Sequence, residues 1–135
     1  MTEKIIIDAN EAVFGRLCSF AAKQALEGNE IIVVNSEKAV MTGNKQNIIQ
    51  KYINLRAKGG YSQKGPKYTK IPYHMMKRGI RGMLPEHSKG IGKQALSRVR
   101  CYDGIPEEFK DKKMISIPGP NNSKYIVLKE LSERI

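Results

Sequence analysis

Four consecutive β-branched side chains, Ile31-Ile32-Val33-Val34, show no polar alternation. A strand with that composition needs cover on both faces, which commits the chain to a buried, parallel type of sheet. Upstream, Ile5-Ile6-Ile7 is a second β-branched run, followed by a turn region at Asp8 to Asn10 and a helical pattern from about Val13 to Glu27. Gly28 stops that helix. At helical spacing, Leu17, Cys18, Phe20, Ala21 and Ala25 share a broad face, and Arg16, Ser19, Lys23 and Glu27 form a polar stripe. Strand, helix and strand therefore predict a right-handed crossover with a parallel pair.

Thr42-Gly43-Asn44 breaks the pattern before a second predicted helix carrying Ile48, Ile49, Tyr52 and Ile53, which Gly59 and Gly60 end. From Tyr61 to Ile71 periodicity is lost, and Lys64, Lys67 and Lys70 interleave with Tyr61 and Tyr68 in a basic, aromatic loop. Pro72 suits the first turn of a third helix, with Tyr73, Met76, Ile80 and Met83 on one face and Lys77, Arg78 and Arg81 beside it. Ser88 is placed to cap a fourth, with Ile91, Ala95 and Val99 packed and Lys89, Lys93 and Arg100 along a separate stripe. Val99 to Tyr102 continues as a strand into the Asp103-Gly104 turn, Met114 to Ile117 is another candidate, and Tyr125 to Ile135 reads as a short strand leading into a helix. At 135 residues the expectation is one domain spanning 1–135.

Charge is distributed very unevenly. Residues 1–44 carry a net −2, residues 45–100 hold 14 Lys or Arg against the single acid Glu86 for +13, and residues 101–135 balance. An almost acid-free block repels itself unless something negative neutralises it, and the phosphate backbone rewards that arrangement by releasing condensed counterions. A membrane face is the poorer partner: no stretch approaches a spanning helix, and Met1 to Ile7 lacks the basic start and long apolar run of a signal peptide. A cytoplasmic protein is expected.

Catalytic chemistry finds little purchase. His74 and His87 lack the spacing that brings two ligands to one helical face, and no G-x-S-x-G turn occurs. Cys18 and Cys101 belong to no CxxC pair and read as buried, reduced thiols. Gly90-Ile91-Gly92-Lys93 invites comparison with a phosphate loop, but Gln94 follows the lysine where Ser or Thr would hold Mg²⁺. It could still cradle one phosphate at a helix start. The competing functional classes are thus an RNA binder, a nucleotide-dependent enzyme built on Gly90 to Lys93, and a free-standing nucleic-acid regulator. No cofactor, metal or small-molecule substrate is expected. Gly79 and Gly82 each cost a helix about 1 kcal/mol relative to Ala, which implies close approach by another helix or by a nucleic-acid backbone. Tyr61 and Tyr68 are available to stack on unpaired bases.

Arg78-Gly79-Ile80-Arg81-Gly82-Met83-Leu84-Pro85, with Ala95-Leu96 and Tyr102-Asp103-Gly104-Ile105-Pro106 downstream, resembles the central signature of the universal large-subunit ribosomal protein thirteen family. Asp8-Ala9, Gly15-Arg16-Leu17, Val33-Val34-Asn35-Ser36-Glu37-Lys38 and Thr42-Gly43-Asn44 resemble its N-terminal half in the same order. The Tyr-Asp-Gly-Ile-Pro segment is similar to the archaeal and eukaryotic branch, and the compact length to the archaeal one. The resemblance implies a three-layer α/β/α fold with a mostly parallel sheet of about four strands, carrying a basic loop-helix extension. It also implies large-subunit ribosomal RNA and neighbouring ribosomal proteins as partners, with a role in organising the RNA during assembly. Carried onto this sequence, the RNA-contacting group is Arg78, Arg81 and the backbone of Gly79 and Gly82. Charge and position add Lys77, Lys64, Lys67, Lys70, Lys89, Lys93 and Arg100, together with Tyr61 and Tyr68.

Overall fold

The computed structural model describes residues 3–57, 71–86, 88–120 and 124–135. In chain order its elements are β1 (Lys4–Asp8), α1 (Phe14–Leu26), β2 (Glu30–Val34), β3 (Val40–Thr42), α2 (Lys45–Ala57), α3 (Pro72–Gly82), α4 (Gly90–Ser97), β4 (Val99–Cys101), β5 (Ile115–Ser116), β6 (Tyr125–Val127) and α5 (Leu128–Arg134). Among the described residues no helix is long and apolar enough to cross a membrane.

The β-branched runs pair as expected: β1 lies parallel to β2, with Ile5 opposite Ile31 and Ile7 opposite Val33. The sheet order is β4-β2-β1-β5, every neighbouring pair parallel. Gly28, at φ 101°, ends α1. Its N–H donates to Ala25 O at 3.1 Å and that of Asn29 to Gln24 O at 3.2 Å, a double closure that consumes two carbonyls left over at the helix end. The Ala25 oxygen also accepts from Arg98 Nη1 at 2.9 Å. This places a cation at the negative end of the helix and ties the α4–β4 junction to α1.

Period-two alternation sends Ile7, Ile31, Val33 and Val99 into one core, where they meet Leu17, Cys18, Ala21 and Ala25 of α1, Met76 and Ile80 of α3, and Ala95 of α4. Ile6, Ile32 and Val34 point the other way and are covered by Phe109, Tyr102 and Met114. The result is a three-layer α/β arrangement whose third layer is thin, since its helical part is the 3₁₀ turn Glu107–Phe109. A satellite cluster of Met75, Ile126, Leu128 and Leu131, flanked by Ile48, Ile49 and Tyr52, joins α2, α5 and the antiparallel ribbon β3–β6 to the main body.

Several sequence-level expectations need correction. In α3 the buried residues are Met75, Met76 and Ile80, whereas Tyr73 and Met83 are exposed. The helix is rolled because Gly79, which a hydrophobicity pattern scores as neutral, lies directly against α1. In α4, Ile91 is 67% exposed, and Gly92 and Ala95 face inward. A Cβ on Gly92 would collide with the carbonyl oxygen of Pro85, so the smallest residue sets the contact face. Ser88 is not the cap of α4: Lys89 holds that position, and the Ser88 hydroxyl lies 3.5 Å from Glu86 Oε1 instead. Ile53 of α2 is exposed. The expected stops Gly59 and Gly60 lie outside the described residues.

Candidate nucleic-acid interface

The segments at the carboxyl ends of the parallel strands are knitted together. Asn35, at φ 58°, leaves β2 in the left-handed region and donates its side-chain amide to Asp8 Oδ1 at 3.0 Å. Its N–H reaches Gly104 O at 2.9 Å, and Gly104 returns its own N–H to Glu37 Oε2 at 2.8 Å. The Asp103 carboxyl then lies against the Glu37 side chain and the backbone of Tyr73, at the start of α3. Ile71, the residue before the helix, provides no side-chain cap, and the nearby carboxylate comes from 30 residues downstream. Burial foremost, then Glu37, pushes the Asp103 carboxyl up, while His74 and the Tyr73 backbone pull it down. In α/β enzymes a ligand sits over these strand ends; here the loop at Asp103-Gly104 and the first turn of α3 meet there.

From this anchor α3 presents cations outward. Met76 and Ile80 are fully buried beneath it, and each contributes on the order of 1.5–3 kcal/mol to holding the helix down. Gly79 settles which partner needed its smooth face. A Cβ there would lie 2.8 Å from Phe14 Cε1 and 2.9 Å from Cys18 Sγ, so the close neighbour is α1. A Cβ on Gly82, by contrast, would meet none of the described residues within 4 Å.

Lys77, Arg78 and Arg81 line a hollow with His74 and Leu96, between α3 and α4. Arg78 also borders a second hollow, between α2 and α3, with Lys51, Tyr52, Leu55 and Phe14. Arg78 therefore stands on the ridge between two concavities. Lys89 and Lys93 are exposed at the start of α4. Among the described residues the salt bridges are Lys45–Glu130 at 3.4 Å and Arg134–Glu130 at 3.2 Å, so no acid neutralises Lys77, Arg81, Lys89 or Lys93.

Arg100 does not join this group. It sits in β4 opposite Ile32, on the other side of the sheet, in a hollow with Lys4, Arg98, Glu30 and Glu108. A stripe drawn through Lys89, Lys93 and Arg100 assumed one continuous helix, but the chain changes from helix to strand between Ser97 and Val99. Tyr61, Lys64, Lys67, Tyr68, Lys70 and His87 lie outside the described residues. Lys51 was not singled out from sequence; its only signal was membership of the basic block.

Among the described residues no three metal-ligating side chains come together. Cys18 and Cys101 are both free thiols. Burial pushes Cys18 well up, with Cys101 adding to the effect. Burial likewise pushes Cys101 up to about 12, against the pull of Lys77.

The arrangement is that of an α/β protein carrying a helix-borne cationic surface, a class suited to a polyanionic partner. Comparison with known proteins makes this specific. The sequence model of the family described as Ribosomal protein L13 matches residues 2–108. A protein of Methanococcus maripaludis named large ribosomal subunit protein uL13 is 44% identical over 133 residues, covering 96% of this chain and 95% of its own. Proteins of the same name from Methanosarcina barkeri and Thermoplasma acidophilum are each 41% identical, with 96% of both chains covered. The chain belongs to the ribosomal protein L13 family, whose members are structural components of the ribosome and not enzymes.

Proposed function

We propose that this protein is a structural constituent of the large ribosomal subunit in the cytoplasm, where it binds large-subunit ribosomal RNA and helps organise it during assembly. The observation that carries the reading is the segregation of charge onto α3: its apolar side is locked into the core, while Lys77, Arg78 and Arg81 project from the remainder. Arg78 and Arg81 supply planar donors that match phosphate oxygens two at a time, and Lys77 acts as a point charge. The open backbone at Gly82 allows a sugar-phosphate chain to approach closely, and Gly79 serves the same contact indirectly by seating the helix on α1. Lys89 and Lys93 extend the surface along α4. Lys64, Lys67 and Lys70, with Tyr61 and Tyr68, are assigned to the same partner from charge and order in the chain. Arg100, on the far side of the sheet, makes a separate contact. Neighbouring large-subunit proteins complete the surroundings.

The test is a binding titration with a fragment of large-subunit ribosomal RNA. Replacing both Arg78→Ala and Arg81→Ala should weaken association by about two orders of magnitude, at roughly 1.5 kcal/mol for each charged hydrogen-bonding group lost, while the far-ultraviolet spectrum stays that of the parent. Unchanged affinity in a folded double variant removes these residues from the interface.

A further inference from the structure

We propose that the outer edge of β6 receives an extended segment of a neighbouring protein as an added strand, a contact separate from the RNA surface and resting on the placement of this chain in the large subunit. The hydrogen-bond parity of the β3–β6 ribbon supports this directly. Gly43 N–H donates to Lys124 O at 2.7 Å, and Leu128 N–H to Ala39 O at 2.8 Å. With Met41 opposite Ile126 in the register, those two pairs fix residues 124, 126 and 128 as the positions whose backbone faces β3. Tyr125 and Val127 fall between them, so their N–H and C=O groups point away from the ribbon.

The corresponding outward position on β3 is already used, because Val40 N–H donates to Ala12 O at 2.9 Å. The Val127 C=O serves the first turn of α5, whose N-cap it is, but no described residue engages the rest of the β6 edge, which leaves two donors and the Tyr125 acceptor in a row. The Tyr125 side chain is 44% exposed. Tyr125 and Val127 also line two separate hollows, one with Asn44, Lys45, Lys124 and Glu130, the other with Asn10, Glu11, Lys38, Gly119 and Pro120. An added strand would find places there for its alternate side chains.

Charge selects a polypeptide over RNA for this edge. The two hollows carry Lys38, Lys45 and Lys124 against Glu11 and Glu130, and Lys45 is already paired with Glu130 at 3.4 Å. Mixed charge around a tyrosine suits a protein segment, whereas phosphate is drawn to the block at 45–100 with its net +13.

The experiment uses purified large subunits containing this chain with Tyr125 replaced by photoreactive benzoylphenylalanine. Irradiation should attach the chain to another ribosomal protein, and adding Val127→Pro should reduce the yield about tenfold. Val127 sits at φ −77°, which proline adopts without strain, and its N–H is one that β3 does not use. Amide exchange of the unsubstituted chain provides a second reading: Tyr125 and Val127 should exchange quickly in the isolated protein and slowly in the subunit. Attachment to RNA alone, a yield indifferent to Val127→Pro, or equal exchange rates in both states would overturn the proposal. Failure of the RNA reading would look different, because Val127→Pro leaves affinity for an RNA fragment unchanged if that surface is correctly placed.

Discussion

The Asp103 carboxyl lies against the backbone of Tyr73, so the loop that follows β4 abuts the first turn of the helix that carries the basic side chains. The same carboxyl contacts Glu37, and the folded protein holds it above its ordinary value of 3.8. A raised carboxyl binds protons more tightly in the folded than in the unfolded state, so stability should increase as pH falls through the raised value towards the ordinary one. Asp103→Asn keeps a polar side chain of the same shape beside Tyr73 and removes the carboxylate beside Glu37. Denaturant unfolding should find this variant more stable than the parent at neutral pH, with the advantage vanishing in acid. A variant less stable at neutral pH would mean that the attraction to His74 outweighs burial and the Glu37 charge.

The glycines of α3 and α4 should respond in opposite ways. Gly79→Ala forces Phe14 and Cys18 aside and should cost about 1–3 kcal/mol. Gly92→Ala meets the backbone of Pro85 and Glu86, which cannot swing away as a side chain can, and should cost more still. Gly82→Ala meets none of the described residues and should stabilise by up to about 1 kcal/mol through helix propensity. Urea midpoints of the three variants give the order directly.

These contrasts also explain what was readable in advance. The β1–α1–β2 unit was legible because Ile5 to Ile7, the α1 face and Ile31 to Val34 each carry a local period that burial then satisfies. The rolled face of α3 and the exposed Ile91 were not, because Gly79, Gly92 and Ala95 contribute shape and not hydrophobicity. Lys77, Arg78 and Arg81 could be grouped from helical spacing alone. Arg100 could not, since one change from helix to strand turns its side chain to the opposite face. The approach of Asp103 to the first turn of α3 joins residues 30 apart and leaves no trace in the sequence near Tyr73.

Both thiols should resist alkylation in the folded protein at neutral pH, since the thiolate is the reactive species and burial suppresses it. The unfolded chain ionises near the ordinary value of 9.0 while the folded one retains its protons, so stability should fall as pH rises through that value. Labelling with iodoacetamide, with and without denaturant, checks the first statement, and unfolding curves across mildly alkaline pH check the second. Rapid native labelling of Cys101 would show that the sheet edge opens.

The most direct test of the central claim is the salt dependence of binding to large-subunit ribosomal RNA. With about six phosphates neutralised, affinity should drop by roughly three orders of magnitude between 50 and 200 mM monovalent salt, and Arg78→Ala with Arg81→Ala should make the dependence shallower by about two phosphates. Binding that ignores salt, or a slope the double variant leaves untouched, would contradict the account.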